Sequence, residues 1–265
     1  MGFLIKPLKI IAFLILVITF LGISFCVDVL IRNKAAKLRY FSLISSFYMR
    51  TALKVLGVKV RPRGINKLGS GKRNYLIISN HLSYIDIFVI ASVAPSVFVA
   101  NSELKEAFLL GAIIRYSGGV FVERRNRARL LKDMQNIKDI LNMGLNVALF
   151  PEGTTSDGEE VKPFKTPLLA ALDGCGVDAL PVCIRYRKIN GKDIDSGSGP
   201  LVYFHGDITF FEHFFRLLNL GSICVDFTEL DVIGQGLYGS RKELARIAFE
   251  RISGAYKEIS SSDDK

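Results

Sequence analysis

Short apolar runs alternate with longer, helix-like segments from residue 74 onward, and this alternation constrains the fold more than any other feature of the sequence. The short runs are rich in Val, Ile, Leu and Phe, while the longer segments repeat apolar residues at three- and four-residue steps. Strands alternating with helices predict an α/β fold with a mostly parallel central sheet flanked by helices. The predicted strands are 75–79, 96–100, 120–123, 146–150 and 179–186, and the predicted helices are 84–93, 104–118, 127–144 and 166–174.

The remaining segments divide the chain into three regions. Residues 188–200 are polar and rich in turn residues, which predicts a surface loop. Two more strands are predicted at 201–207 and 222–227, followed by an amphipathic helix at 240–259. We therefore expect an N-terminal segment of membrane-anchor and interfacial helices over 1–60. An α/β domain is expected over 61–259, and a disordered tail over 260–265.

Positive charge is concentrated at the front of the chain. The first 73 residues hold fourteen Lys or Arg and one acid, Asp28, in a chain of net charge +10. They also contain an uncharged apolar run, 10–27, which as a helix is roughly 27 Å long at about 1.5 Å per residue. That length just reaches across a hydrocarbon core. The basic residues flank apolar and aromatic runs, so an anionic membrane is favoured over nucleic acid as the partner.

The flanks of the apolar run bear on its orientation. No A-x-A site follows the run, which favours an uncleaved anchor over a signal peptide. Four basic residues lie between 32 and 39 against two before the run, which favours the inner (cytoplasmic) membrane with the α/β domain on the cytoplasmic side. Residues 40–49 are too short to span. They fit a hairpin with the first helix, an interfacial helix or a core helix.

Three polar clusters follow predicted strands, at the sheet edge where ligands of α/β folds bind. The first, NHLSYID, contains His81 and Asp86. A neutral imidazole can take a proton from an attacking alcohol, and a carboxylate on its other nitrogen fixes the tautomer. The competing interpretation is a structural hydrogen bond at a helix start.

The sequence contains no G-x-S-x-G elbow, and its four cysteines are interpreted as reduced thiols without zinc or disulfides. Direct attack by a substrate hydroxyl therefore fits better than an acyl-enzyme.

The other two clusters offer binding groups. Arg124 ends a strand beside Gly118 and Gly119, and its planar fork suits a phosphate or carboxylate. In FPEGTTSDG, Glu152 is a lone carboxylate and Gly153 permits a tight turn, while Thr154 offers a hydroxyl and a backbone N–H. The alternative for Glu152 is that it holds the loop together. An ordinary turn is the alternative for Thr155, Ser156 and Asp157, and a solvated helix face for Arg127 and Arg129.

Together and in order, the clusters resemble the glycerolipid acyltransferase family that includes 1-acyl-sn-glycerol-3-phosphate acyltransferases. NHLSYID matches its N-H-x4-D block, GGVFVER its G-x-F-V-x-R block, FPEGT its third block and LPVCI its fourth. The resemblance implies transfer of a fatty acyl group from acyl-ACP or acyl-CoA to a lysolipid hydroxyl, with no metal or other cofactor. It implies His81 as general base and Asp86 as its orienting partner. The same blocks place Arg124, Glu152 and Gly153 in acceptor binding, and Pro181 belongs to the block associated with the acyl donor. Asn80, Thr154 and Lys165 are further candidate substrate-binding residues, and Lys165 could supply a cation for a phosphate.

Two departures concern the acceptor. Family members specific for lysophosphatidic acid often carry cations where this chain has Thr155 and Asn101, and EGTTSDG looks like members that acylate lyso-ornithine lipid. Lysophosphatidic acid is the first expectation, and lyso-ornithine lipid or another lysolipid is the alternative. A non-catalytic lipid-binding protein and a hydrolase are the hypotheses from other classes.

Overall fold

The strands form one mixed sheet in the computed structural model, which describes residues 2–64, 67–123, 125–195 and 197–261. Within these ranges eight strands are present, and seven of them lie in the order β1-β8-β6-β2-β5-β3-β4, with β7 paired to β6. Neighbours are parallel except β6–β8 and β6–β7, which confirms the predicted mostly parallel sheet. The strands are β1 (Val58–Gly64), β2 (Leu76–Ser79), β3 (Ser96–Asn101), β4 (Val120–Val122), β5 (Asn146–Leu149), β6 (Ala179–Ile189), β7 (Lys192–Asp193) and β8 (Ile223–Glu229).

Seven α-helices are present in the described residues, and the first two precede the sheet in the chain. They are α1 (Gly2–Leu30), α2 (Lys34–Leu56), α3 (Ile85–Val93), α4 (Phe108–Tyr116), α5 (Arg127–Asn142), α6 (Phe210–Leu218) and α7 (Arg241–Ser261). The predicted helix 104–118 divides into a 3₁₀ turn, Ser102–Glu106, and α4. The predicted helix 166–174 is a short 3₁₀ helix, Pro167–Leu172, since Pro167 starts it and Gly174 follows with φ of 62°.

The predicted strand 201–207 is wrong. A 3₁₀ turn, Gly199–Leu201, leads there into a loop in which Phe204 N–H donates to Leu82 O at 2.9 Å. The predicted surface loop 188–200 is partly a hairpin, because β6 continues to Ile189 and turns back into β7. Asn190 and Gly191 have φ of 52° and 82°, the left-handed pair that a tight two-residue hairpin requires. The elements β1 and α6 were not predicted from the sequence.

The first two helices form a hairpin against the domain. Asn33 caps α2 by accepting from Ala36 N–H at 2.9 Å, and Phe20 of α1 meets Tyr48 of α2 edge-on at 5.5 Å. Ser46 Oγ donates to Ala91 O of α3 at 2.6 Å, so residues 40–49 belong to a helix that packs on the body. Tyr40, Leu43 and Phe47 of the same helix are exposed.

One helix among the described residues is long and apolar enough to cross a membrane, by length and composition. Its candidate span is Lys6–Leu30, which has a mean hydropathy of 3.0, and 11% of its apolar stretch is buried inside the protein. The strand β1 runs across residue 60 and pairs with β8, so it ties the end of the front segment to the sheet. The division of the chain at residue 60 stays a prediction.

The centre of the sheet positions the polar clusters. β2 lies between β5 and β6 and is parallel to both, so the carboxyl ends of these strands meet at one edge. All four residues of β2 are buried. The loop that begins with Asn80 therefore leaves a rigid strand, and α3 starts five residues later.

Candidate active site

His81 and Asp86 are in direct contact. The distance from His81 Nδ1 to Asp86 Oδ2 is 2.9 Å. Asp86 is fully buried in the first turn of α3, while the side chain of His81 is 17% exposed. A carboxylate can only accept, so Nδ1 carries the proton and Nε2 keeps its lone pair. The predicted pair therefore has the geometry of a base oriented by an acid.

Asp86 is held by more than the imidazole. Its Oδ2 also accepts from the backbone N–H groups of Leu82 and Ser83, at 2.6 and 2.8 Å. Its Oδ1 accepts from the hydroxyl of Tyr186 at 2.8 Å. Four donors on one buried carboxylate satisfy its oxygens and fix its orientation. The same carboxylate ties the loop residues Leu82 and Ser83 to the first turn of α3, so it also has a structural role.

The imidazole of His81 lies flat on Phe150. The ring centroids are 3.9 Å apart and the rings are 13° from parallel. Phe150 follows β5 directly, so one face of the imidazole is covered by the neighbouring loop. The ring is thereby held at its Nδ1 edge and on one face.

Glu152 connects the loops after β2 and β5. Its Oε1 accepts from His81 N–H at 2.6 Å, and its Oε2 accepts from Lys162 N–H at 2.9 Å. The residue is 2% exposed, and this burial raises the pKa of Glu152 to about 7, although the two backbone donors lower it. Gly153 follows with φ of 75°, and its N–H donates to Phe150 O at 3.1 Å, which closes the turn.

Backbone hydrogen bonds join the surrounding loops. Ser156 N–H donates to His81 O at 2.9 Å, and Phe204 N–H donates to Leu82 O. The hydroxyl of Thr155 donates to Phe204 O, and Lys162 Nζ donates to Thr155 O at 2.9 Å. Three loops from distant parts of the chain therefore meet around His81.

The other predicted binding residues lie in different settings. Asn80 is 1% exposed, and its amide donates to Ile184 O at 2.9 Å and accepts from Ile184 N–H at 2.8 Å, which clamps β2 to β6. Thr154 and Lys165 are exposed. Pro181 pairs with Ile78 in the sheet. Arg124 lies outside the described residues.

A polar cavity of about 540 Å³ opens at the ends of β3 and β4. These ends lie on the same edge of the sheet as the end of β2. The lining mixes both signs of charge. It includes the acids Glu103, Glu106, Glu123 and Asp133 and the bases Lys105, Arg129 and Lys132.

Sequence reasoning missed several residues of this site. Tyr186 lies 100 residues from Asp86 and gives no local signal. Tyr84 was read only as part of a helix, yet its hydroxyl lies 3.0 Å from His213 Nδ1 and its ring meets Phe204 and Phe210. Phe150 could have been suspected, because it stands beside the FPEGT block.

Other chemistries find less support here. Burial raises the pKa of the Cys183 thiol to about 12, so the thiol stays protonated at neutral pH and is a poor nucleophile. The described part of the chain contains no group of three or more His, Cys, Asp or Glu side chains placed to hold a metal ion. The His81–Asp86 pair remains the arrangement best suited to proton transfer.

Known proteins share both the fold and much of the sequence. The crystal structure of the 1-acyl-sn-glycerophosphate (LPA) acyltransferase PlsC from Thermotoga maritima matches with a TM-score of 0.71, over 98% of this chain and 96% of that one. At 21% identity, this match concerns the fold.

The curated relatives are closer in sequence. The lyso-ornithine lipid O-acyltransferase of Rhizobium meliloti (strain 1021) is 34% identical over 77% of this chain and 71% of its own length. The lyso-ornithine lipid O-acyltransferase of Brucella abortus (strain 2308) is 33% identical over 79% of this chain and 80% of its own length. The 1-acyl-sn-glycerol-3-phosphate acyltransferase of Neisseria gonorrhoeae is 36% identical over 44% of this chain and 46% of its own length.

The matched region contains most of the site described above, while Tyr186 and Phe204 lie beyond it. The acyltransferase family model covers residues 53–185, which include β1 to β5, most of β6 up to Arg185, and the loops that carry His81, Asp86 and Glu152. With this match and relatives that share a third of their residues over most of their length, the chain belongs to the acyltransferase family.

Proposed function

We propose that this acyltransferase moves a fatty acyl group from a thioester donor to the free hydroxyl of a lysolipid. The observation that carries the proposal is the contact between His81 Nδ1 and the buried carboxylate of Asp86. The names of the relatives support the lysolipid as acceptor, since both groups of relatives are named for lysolipid acylation. The buried Asp86 makes His81 a fixed base rather than a freely rotating one.

In the proposed mechanism His81 acts first as a base and then as an acid. Nε2 takes the proton from the acceptor hydroxyl as its oxygen attacks the thioester carbonyl. Asp86 stabilises the imidazolium that forms. The tetrahedral intermediate then collapses, the carbon–sulfur bond breaks, and the thiolate leaves with the proton from Nε2. The ester and the free thiol balance the reaction without a covalent enzyme intermediate, metal or other cofactor.

Lyso-ornithine lipid is the acceptor that we favour. The relatives with the broader coverage are named for this substrate, and they span 77% and 79% of this chain against 44% for the Neisseria relative. An ornithine headgroup carries an amine and a carboxylate, which suits a cavity with both signs of charge. Thr155 and Asn101 support this choice, because neither supplies a cation for a phosphate.

Lysophosphatidic acid, which would give phosphatidic acid, is the second candidate. The Neisseria relative supports it, as does the basic side chain of Lys165, exposed beside the site.

We assign Thr154 and Lys165 to acceptor contact, with Arg124 as a further anion-binding residue. Gly153 and Glu152 shape the loop under the acceptor, and Asn80 supports β2. Exchanging Thr154 or Lys165 for alanine should raise the KM for the acceptor while the melting temperature stays unchanged, since both side chains are exposed.

The donor and the location complete the proposal. The donor is acyl-ACP or acyl-CoA. We propose that the protein is bound to the inner (cytoplasmic) membrane through the segment 1–60, with the α/β domain 61–259 on the cytoplasmic side. The apolar α1 and the basic front support binding to an anionic membrane, where the lysolipid resides.

A competition assay tests the function. Purified protein in detergent receives equal lyso-ornithine lipid and lysophosphatidic acid with acyl-ACP or acyl-CoA, and mass spectrometry identifies the products. We expect mainly the diacyl ornithine lipid from the parent and loss of transfer in His81→Ala. His205→Ala is the matched control, since His205 lies outside the His81–Asp86 pair. A folded His81→Ala variant with parental turnover would contradict the mechanism, and lipid binding without any turnover would indicate a non-catalytic lipid-binding protein.

A further inference from the structure

The short helix α6 has three strips with different surroundings. His213 and Leu217, four residues apart, are completely buried. Glu212 and Arg216, also four apart, form an ion pair of 2.6 Å on the surface. Phe211 and Phe215 form the third strip and are 65% and 44% exposed. A helix with one strip in the protein, one apolar strip outward and one charged strip is the pattern of a helix lying in a membrane interface.

The helix α6 packs against α1. Phe214 packs on Phe13 with ring centroids 4.8 Å apart. Elsewhere on α1, Leu8 and Ile11 are 67% and 54% exposed. Exposed apolar side chains that are grouped together mark interaction sites more often than isolated ones do. The apolar patch of α6, formed by Phe211 and Phe215, therefore adjoins the helix long enough to span a membrane.

Basic side chains border the patch. Lys6 Nζ lies 5.7 Å from the ring centroid of Phe215, and Lys9 Nζ donates to Leu220 O, just beyond α6, at 2.7 Å. Arg216 is also at this border. Aromatic rings with Lys and Arg at their rim fit the headgroup region of an anionic bilayer.

A second copy of the chain fits the strip less well. A stable interface between proteins buries about 1,200–2,000 Å² in total. The apolar strip of α6 contains two exposed phenylalanines on a helix of nine residues. A bilayer can bind a small apolar patch, because it does not have to bury a matching area on one partner protein. We therefore take the bilayer as the partner of this patch.

The inner strip of α6 reaches the site. His213 Nδ1 lies 3.0 Å from the hydroxyl of Tyr84, and Phe210 contacts the ring of Tyr84 at 5.0 Å. Tyr84 stands between His81 and Asp86 in the sequence and precedes α3 directly. The helix therefore connects the outward phenylalanines with the loop that carries the base.

We propose that α6 is a second membrane contact, separate in sequence from α1, with Phe211 and Phe215 seated at the boundary between lipid headgroups and acyl chains. The contact turns the active-site edge of the sheet toward the lipid surface. The benefit to catalysis rests on the proposed function, because it requires an acceptor that stays in the bilayer. The contact itself requires no turnover and can be measured without it.

The sequence provides a direct probe, because it contains no tryptophan. Phe211→Trp and Phe215→Trp each introduce a single reporter at an exposed position. Leu237→Trp is the matched control. It is 55% exposed and lies near Ile233, which bridges to Ala179 at the amino end of β6, on the opposite edge of the sheet. Each full-length variant is reconstituted into phosphatidylethanolamine–phosphatidylglycerol vesicles that contain lipids brominated either near the ester linkage or near the chain end.

We expect the emission at 211 and 215 to shift to shorter wavelength and to be quenched, more strongly by bromines near the ester linkage. The emission at 237 should be unaffected. Equal emission and equal quenching at 211 and 237 would overturn the proposal. A blue shift without quenching would also overturn it, since that result indicates a protein partner. Turnover is assayed on the same variants, so quenching without acyl transfer would leave the contact standing and reject only the proposed function.

Discussion

The hydroxyl of Tyr186 donates to Asp86 Oδ1 at 2.8 Å, so a strand 100 residues away holds the carboxylate that orients His81. Both residues are buried. Burial and the adjacent Asp86 carboxylate raise the pKa of Tyr186 far above its ordinary value, so the phenol stays protonated and remains a donor. Tyr186 is thus a positioning residue, since its contact is with Asp86.

Removing this donor should slow the chemistry without weakening acceptor binding. We expect Tyr186→Phe to lower kcat several-fold with little change in KM, and to reduce the free energy of unfolding by about 1–3 kcal/mol, because Oδ1 becomes a buried acceptor with one donor fewer. Tyr75→Phe is the control, because Tyr75 immediately precedes β2, at the end of that strand far from His81. An unchanged kcat with lower stability would assign Tyr186 a purely structural role.

Asp86→Asn should abolish most of the activity. An amide cannot accept from all of the donors that surround the carboxylate, and it no longer fixes the Nδ1–H tautomer of His81. We expect kcat/KM to fall by a factor on the order of 10²–10⁴. Asp157→Asn, an exposed acid on the loop after β5, should retain activity. Parental kcat/KM in a folded Asp86→Asn protein would contradict the proposed mechanism.

Glu152 should make stability depend on pH in a defined direction. Its pKa in the folded protein is raised to about 7 from 4.5, because the carboxyl group is buried. A raised pKa stabilises the folded state below about 4.5, and this contribution is lost as the pH rises through about 7. Glu152→Gln removes it, so the difference in melting temperature between parent and variant should shrink over that range. A difference that stays constant from pH 4 to 8 would show that Glu152 does not titrate there.

His213 should act in the opposite direction. Burial lowers its pKa to about 4 from 6.5, so the folded state favours the neutral ring. The unfolded chain takes up the proton first, and stability is lost as the pH falls from about 6.5 to about 4. We expect His213→Gln, which can still bond to Tyr84, to lose less stability than the parent over this range. Chemical denaturation at several pH values measures the two slopes, and parallel slopes would rule out the assignment.

The sequence predicted those elements whose pattern is local. Short apolar runs predict the strands β2 and β5, and apolar residues at three- and four-residue steps predict the helix α5. The strand β1 was missed because VKVRPRG carries charges and a proline, which an edge strand tolerates. The helix α6 was missed because it is short and aromatic and follows a segment that resembles a strand.

The contacts between distant segments could not be predicted in the same way. Sequence motifs located His81 and Asp86, which are five residues apart. They could not show that Phe150 stacks on the imidazole or that Thr155 bonds to Phe204. Asn80 illustrates the limit most clearly, because its place in the motif gives no sign that its amide bonds to both backbone groups of Ile184.

The loops around His81 are joined largely through peptide groups. Ser156 N–H donates to His81 O, Phe204 N–H to Leu82 O, and Lys165 N–H to Pro151 O. Peptide groups are the same in every residue except proline, so these three bonds do not depend on which side chains the bonded residues carry. Outward positions such as 154, 157 and 165 are therefore open to randomisation, and a library at these positions can be selected for a new acceptor headgroup while the catalytic geometry is inherited unchanged.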